Sequence, residues 1–240
     1  MSKPVLLLLP GLLCDETVWR EQREALSAYH CVVPDYGCAD SIGAMASLAL
    51  DAVPAGGFAV AGHSMGGRVA LEIARQMPER VERMALLDTG THSLASGAAG
   101  EREVAGRMAL LHIARTQGMR AMGREWARGM VHKDRLETPL FEEILAMIER
   151  KTPDIFAAQL QALIERPDAS GVLARLQVPV LLSCGRQDAW SPVARHEEMQ
   201  RQCPAARLVV IEDSGHMSTM EQPQAVTRML RAWLEDDGQA

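Results

Sequence analysis

The stretch Phe58-Ala59-Val60-Ala61-Gly62-His63-Ser64-Met65-Gly66-Gly67-Arg68-Val69-Ala70 decides how the rest of the chain is read. A short apolar run of strand character enters the pentapeptide Gly62-His63-Ser64-Met65-Gly66, of the form Gly-x-Ser-x-Gly, and a helical pattern leaves it. A serine between such small residues can sit at the tip of a tight strand-to-helix turn, its hydroxyl held above a sheet. Gly62 and Gly66 lack the Cβ atoms that would collide where the chain doubles back, and Gly67 leaves room for close helix–sheet packing. The helix N-terminus beneath Ser64 brings partial positive charge to the place where an oxyanion would form. Alone the pentapeptide is weak evidence, because a glycine-rich turn can carry an idle serine. Partners elsewhere in the chain decide.

Upstream, Val5–Leu9 is a continuous aliphatic run, as expected of a parallel strand covered on both faces, and it breaks at Pro10-Gly11. Asp15 is placed to cap a helix carrying Val18, Ala25 and Leu26 at helical spacing. His30–Pro34 is a second short strand, and Ser41 caps a helix over Ile42–Val53 that Pro54 and Gly56-Gly57 close. After the elbow the helix runs to about Met77, and Met84–Asp88 is a fourth strand. This alternation predicts an α/β fold with a mainly parallel central sheet flanked by helices. From about Gly90 to about Ala174 the strand rhythm stops, and four helices are predicted: Glu101–Thr116, Met119–Val131, Pro139–Lys151 and Asp154–Glu165. Sheet rhythm returns at Val178–Cys184, followed by a helix (Pro192–Cys203), a strand (Arg207–Ile211) and a closing helix (Gln222–Leu234). The predicted organisation is a core of residues 1–90 and 175–240 with a helical insertion over 91–174.

Composition removes several function classes. The 240 residues fit one domain with an insertion, and 48% hydrophobic with 23% charged residues is ordinary for a globular protein. A net charge of −6 argues against a nucleic-acid footprint. The apolar run Pro4–Leu9 is too short to span a bilayer and lacks a signal peptide's cleavage pattern. Cys14, Cys31, Cys38, Cys184 and Cys203 are odd in number and form no C-x-x-C, so free thiols and a cytoplasmic location are expected. There is no H-E-x-x-H, no Cys/His cluster and no phosphate loop, so neither metal nor cofactor is expected. The expected partner is a small molecule, with no nucleic acid and no membrane.

A serine hydroxyl needs a base to take its proton. The best candidate is His216, in the loop Glu212-Asp213-Ser214-Gly215-His216-Met217 after the last strand. The imidazole in turn needs an acid to set its tautomer and stabilise its cation. Asp188, in Cys184-Gly185-Arg186-Gln187-Asp188, follows a strand at the sheet edge where α/β folds place their sites; Asp88 is the rival, and Asp188 is preferred. Taken singly, each of these is as well explained as a surface histidine or a turn aspartate. Ser64, Asp188 and His216 together each stand just past a different strand. The backbone N–H of Met65 and one from Pro10-Gly11-Leu12-Leu13, with Leu12 chosen, are expected to receive an oxyanion.

With the elbow, the acid loop and the Asp-Ser-Gly-His loop in this order, the chain resembles the α/β-hydrolase-fold serine hydrolases, small esterases and 3-oxoadipate enol-lactonase-like enzymes above all. The resemblance implies cleavage of a carboxylic ester of a small to medium substrate through an acyl-enzyme, and puts the helical insertion at the family's lid position. Its alternatives on the same scaffold are an enol-lactone or carbon–carbon bond hydrolase, or a non-catalytic ligand receptor. Two departures stand out: Pro10-Gly11 replaces the family's frequent His-Gly, leaving Leu12 and Leu13 both open, and the family's first antiparallel strands are missing ahead of Val5. Leu13, Trp126, Trp190 and Met217 are assigned to the substrate pocket, the tryptophans for want of other aromatics. Met108, Met119, Met122, Met130 and Met147 are read as core rather than as an adaptable pocket wall. Arg102, Arg107, Arg115, Arg120, Arg124 and Arg128 are read as a solvated face beside Glu101, Glu103 and Glu125, with anion binding as the alternative. His63 is expected to position rather than react, and His92 and His112 lack any supporting pattern.

Overall fold

A computed structural model describes residues 3–236. Its strands are β1 (Val5–Leu9), β2 (His30–Val32), β3 (Phe58–His63), β4 (Val81–Leu87), β5 (Val180–Gly185) and β6 (Arg207–Ile211). They form one sheet in the order β2-β1-β3-β4-β5-β6, and every pairing is parallel. The helices are α1 (Arg20–Ala25), α2 (Ile42–Ala52), α3 (Met65–Gln76), α4 (Ala98–Gln117), α5 (Met119–Ala127), α6 (Pro139–Glu149), α7 (Pro153–Ile164), α8 (Ser170–Leu173), α9 (Val193–Gln202), α10 (Ser218–Glu221) and α11 (Pro223–Leu234). This is the α/β architecture that the alternating pattern predicts.

The central strands are aliphatic throughout because helices cover both faces. Leu6 to Leu9 and Val60 to Ala61 are fully buried, and each leucine contributes about 1.5–3 kcal/mol by leaving water. The strand order reverses direction between β1 and β3. Connections leaving these two neighbours therefore diverge, opening a crevice at the carboxyl edge of the sheet. The loop after β1 and the turn after β3 both lie at that crevice.

Several boundaries differ from the sequence expectation, and three of them have a clear local reason. β4 starts at Val81 rather than Met84; its first turn outward carries an exposed Glu82 and an Arg83 that reaches the Trp233 carbonyl at 3.0 Å. β5 starts at Val180 rather than Val178 because Pro179 has no N–H to give the ladder, and its carbonyl accepts from Met84 N–H at 3.0 Å. α5 ends at Ala127 rather than Val131. There the N–H groups of Gly129 and Met130 turn back to the Trp126 and Ala127 carbonyls, and the Met130 carbonyl accepts from His216 N–H at 2.5 Å.

Between β4 and β5 no strand occurs among the described residues, only helices: α4 to α7 pack on one another, and α8 packs on α3 and α9. The five cysteines are free. Among the described residues no helix is long and apolar enough to cross a membrane.

Candidate active site

Ser64 follows β3 directly and adopts φ 55°, ψ −116°, a conformation that costs a non-glycine residue about 1–3 kcal/mol. The surrounding backbone holds it there. Ser64 N–H donates to the Leu87 carbonyl at 2.9 Å, continuing the β3–β4 ladder, and the Thr89 hydroxyl donates to the Ser64 carbonyl at 2.6 Å. The turn is so tight that a Cβ on Gly62 would lie 2.3 Å from the Gly66 carbonyl oxygen, and one on Gly66 would lie 2.2 Å from that of Leu9. Glycine at both positions is a condition of the turn.

Three side chains from three loops converge. His216 Nε2 lies 2.8 Å from Ser64 Oγ, and His216 Nδ1 lies 2.8 Å from Asp188 Oδ2. Asp188 Oδ1 accepts from the backbone N–H groups of Trp190 and Ser191, each at 2.8 Å. A carboxylate facing Nδ1 assigns the proton to that nitrogen, leaving Nε2 as acceptor for the serine hydroxyl. Burial alone would raise the Asp188 pKa, but the His216 charge and hydrogen bond, with the two amides, bring it down to about 2. Burial alone would lower the His216 pKa; the Asp188 charge and hydrogen bond, helped by Asp88 and Glu221, outweigh it and raise the pKa above 6.5.

Asp88, the rival acid, is fully buried and stands elsewhere in the network. Its Oδ1 accepts from Gly185 N–H at 2.9 Å, and its Oδ2 accepts from the Ser218 hydroxyl. Burial and repulsion from Asp188 push its pKa well above the carboxylate range. The two acids are thus driven apart: the imidazole and two amides draw the Asp188 pKa down, whereas burial and the neighbouring Asp188 draw that of Asp88 up.

The His216 loop is held on three sides. Besides the Met130 contact, Glu221 accepts from the N–H groups of Gly215 (2.9 Å), Met217 (3.2 Å) and His132 (2.7 Å). His63 Nε2 lies 2.8 Å from the His216 carbonyl; burial and the nearby His216 lower its pKa to about 4, so it is neutral and donates there. His63 Nδ1 is buried without a partner.

A cavity of about 470 Å³ opens above Ser64, and Gly11, Leu12, Met65, Trp126, Trp190 and His216 are on its wall. Trp126 and Trp190 stack at 5.3 Å between ring centroids, and Trp190 packs against the His216 ring at 5.0 Å. Leu13 and Met217 correct the sequence assignment: both are fully buried and neither lines the cavity. The reason at Leu13 is that its φ of 59° and its N–H, donated to Gln159 Oε1 at 2.9 Å, turn it into the core. Met217 starts the turn into α10 and packs inward. Of the two residues left open after β1, only Leu12 borders the cavity.

The insert arginines divide. Arg102 and Arg107 line the cavity, whereas Arg120 pairs with Glu142 and Glu149 at the surface. Sequence reasoning missed Glu221, Arg68, Arg166 and Arg195. Arg68 alone left a trace, as the one cation in the otherwise apolar first turns of α3. Among the described residues no group of three or more His, Cys, Asp or Glu side chains is disposed to hold a metal ion.

Known proteins match this picture. The sequence model of the Alpha/beta hydrolase family covers residues 6–229. The pimeloyl-[acyl-carrier protein] methyl ester esterase of Nitrosomonas europaea is 28% identical, over 92% of this chain and 92% of its own. A thermophilic esterase from Thermogutta terrifontis, solved with malate bound, superposes with a TM-score of 0.85 at 29% identity, covering 97% of this chain and 90% of that one. The enol-lactonase of Burkholderia xenovorans shares the fold, with a TM-score of 0.84 at 22% identity over 98% and 92%. The chain belongs to the alpha/beta hydrolase family and is an esterase-type hydrolase.

Proposed function

We propose that the protein hydrolyses a carboxylic ester of a small to medium substrate through an acyl-enzyme on Ser64. The observation that carries this reading is the unbroken hydrogen-bond chain from Ser64 Oγ through His216 to Asp188, at a serine held in a strained turn beneath a cavity. Ser64 Oγ attacks the ester carbonyl while His216 Nε2 takes its proton. The Met65 and Leu12 N–H groups receive the oxyanion, with the N-terminus of α3 adding its partial charge. His216 then gives its proton to the departing alcohol, and in the second half it deprotonates the water that releases the acid. Asp188 holds the imidazole in the required tautomer and stabilises its cation.

Residues 91–174 act as a lid in this reading, since the helical segment contributes Trp126, Met130 and Phe156 to the cavity wall. A cytoplasmic setting fits the five free cysteines. The named activity of the Nitrosomonas relative, cleavage of a methyl ester, supports the ester class. The test is hydrolysis of a p-nitrophenyl ester series from acetate to decanoate, with Ser64→Ala as control. Turnover abolished in the variant is the expected result; equal turnover in both proteins contradicts the assignment.

A further inference from the structure

The cavity carries a surplus of positive charge. Arg68 from α3, Arg102 and Arg107 from α4, Arg166 beyond α7 and Arg195 from α9 all line it. Two carboxyl groups share that wall, Glu103 and Asp88. Glu103 accepts from Arg107 at 2.8 Å and from Arg166 at 2.7 and 2.9 Å, and although burial opposes it, these partners bring its pKa down to about 2. Asp88 accepts from Gly185 N–H and the Ser218 hydroxyl and pairs with none of the arginines among the described residues. Five guanidinium groups therefore share the wall with two carboxyl groups, of which Glu103 alone pairs with them, in a protein whose net charge is −6.

Three of the five are uncompensated. Arg68, Arg102 and Arg195 form no ion pair among the described residues; Arg68 reaches the His92 carbonyl at 2.8 Å and Arg195 the Trp190 carbonyl at 2.9 Å. Burial, with repulsion from Arg166 and Arg195, presses the Arg68 pKa down to about 9. Clustered, partly buried cations destabilise a fold unless something supplies the opposite charge. The rest of the wall is apolar, with Trp126, Phe156, Leu160 and Leu163.

Two of these arginines are rooted near the serine: Arg68 through its helix and Arg195 through its stem. Arg68 lies one helical turn beyond Ser64 on α3, the spacing at which side chains share a face. The Arg195 stem packs on Gly90, where a Cβ would lie 2.7 Å from its Cδ, next to the Thr89 that holds the Ser64 carbonyl. We propose that the substrate is an ester bearing a free carboxylate beyond an apolar spacer, with the carboxylate held by Arg68, Arg195 and Arg102 while the ester carbonyl lies over Ser64. The planar fork of arginine matches a carboxylate's two oxygens, and the apolar wall takes the spacer. This inference rests on the reading of Ser64 as nucleophile and adds the substrate class to it.

The test compares kcat/KM, followed by proton release, in two series. One sets monomethyl dicarboxylates, succinate through suberate, against methyl esters of monocarboxylic acids of equal length. The other sets acetate esters of ω-hydroxy acids against those of plain alcohols. In at least one series the anionic member is expected to lead by about ten- to hundredfold, the range for a hydrogen-bonded charge. Arg68→Gln and Arg102→Gln should each shrink that ratio, mainly through KM. Arg102 is exposed on α4, so its variant keeps the test alive should Arg68→Gln not fold. No anionic preference in either series, or a ratio indifferent to both substitutions, overturns the proposal while leaving the esterase reading intact. If no ester turns over but a fluorophosphonate labels Ser64, slowing of that labelling by adipate and not by adipamide supports the proposal, and equal slowing or none overturns it. Absence of both turnover and labelling removes the nucleophile reading, and this inference with it.

Discussion

The two sides of the cavity are built differently. On the Ser64 side, short loops at strand ends bring together residues whose positions are set by sheet hydrogen bonds. Ser64 N–H donates to the Leu87 carbonyl and Asp88 accepts from Gly185 N–H, so the groups around Ser64 inherit the rigidity of β3, β4 and β5. On the arginine side, long side chains from α3, α4 and α9 and from beyond α7 meet in space, with one carboxylate among them. The first side is neutral or locally paired and preorganised for charge that develops during reaction. The second carries standing charge and is suited to a group that is already ionic. On the proposed reading, chemistry and selection are thereby separated within one cavity.

Substitutions on the Ser64 side should have the largest effects. Ser64→Ala and His216→Ala are each expected to lose about three or more orders of magnitude in kcat, the scale of triad deletions in serine hydrolases generally. Asp188→Asn should lose about two to four orders, since an amide no longer stabilises the imidazolium. Asp88→Asn, in contrast, should stay within about tenfold of the parent because Asp88 bonds Gly185 and Ser218 and has no hydrogen bond to Ser64 Oγ or the His216 ring nitrogens. Steady-state rates of the four variants decide it. Equal losses for Asp188→Asn and Asp88→Asn would erase the division between the two acids.

The pH profile sharpens the same contrast. Protonated His216 cannot accept the Ser64 proton, so kcat/KM falls as pH drops through the His216 pKa. Because that pKa is raised, the acid limb should be centred above 6.5, and Asp188→Asn should move what activity remains to lower pH. A limb well below 6.5 in the parent contradicts the arrangement. A smaller effect is expected at Glu221, which supports the His216 loop from behind. Glu221→Gln replaces an acceptor of three N–H groups by an amide that meets some of them with its own donors, and about 1–3 kcal/mol of stability should be lost in denaturant unfolding. No change in the unfolding midpoint would show that the loop is held by its other contacts, at Met130 and His63.

How far the sequence announces all this depends on which physical constraint is local. The elbow is legible because a strand, a serine and two glycines must stand within a few residues for the backbone to double back at all. Asp188 and His216 are legible as loop residues just after aliphatic strands, a pattern that periodicity reveals. Their pairing across 28 positions is visible only once the strands are ordered in space. Leu13 and Met217 are misread because being adjacent to a site says nothing about which way a side chain turns. A φ of 59° sends Leu13 inward. Arg166 is invisible for a related reason, because its partner Glu103 is distant in the chain, and so in part is Glu221, which accepts from distant His132 as well as from nearby Gly215 and Met217. The end of α5 is set by tertiary contact too, since Met130 leaves the helix to hold His216.

The central claim is that Ser64 is the nucleophile and that His216 activates it. Reaction with a fluorophosphonate, followed by intact mass and peptide mapping, tests both parts at once. A single adduct on Ser64, absent from Ser64→Ala and formed far more slowly in His216→Ala, is the expected result. An adduct on another residue, or undiminished labelling of Ser64 without His216, would contradict the account.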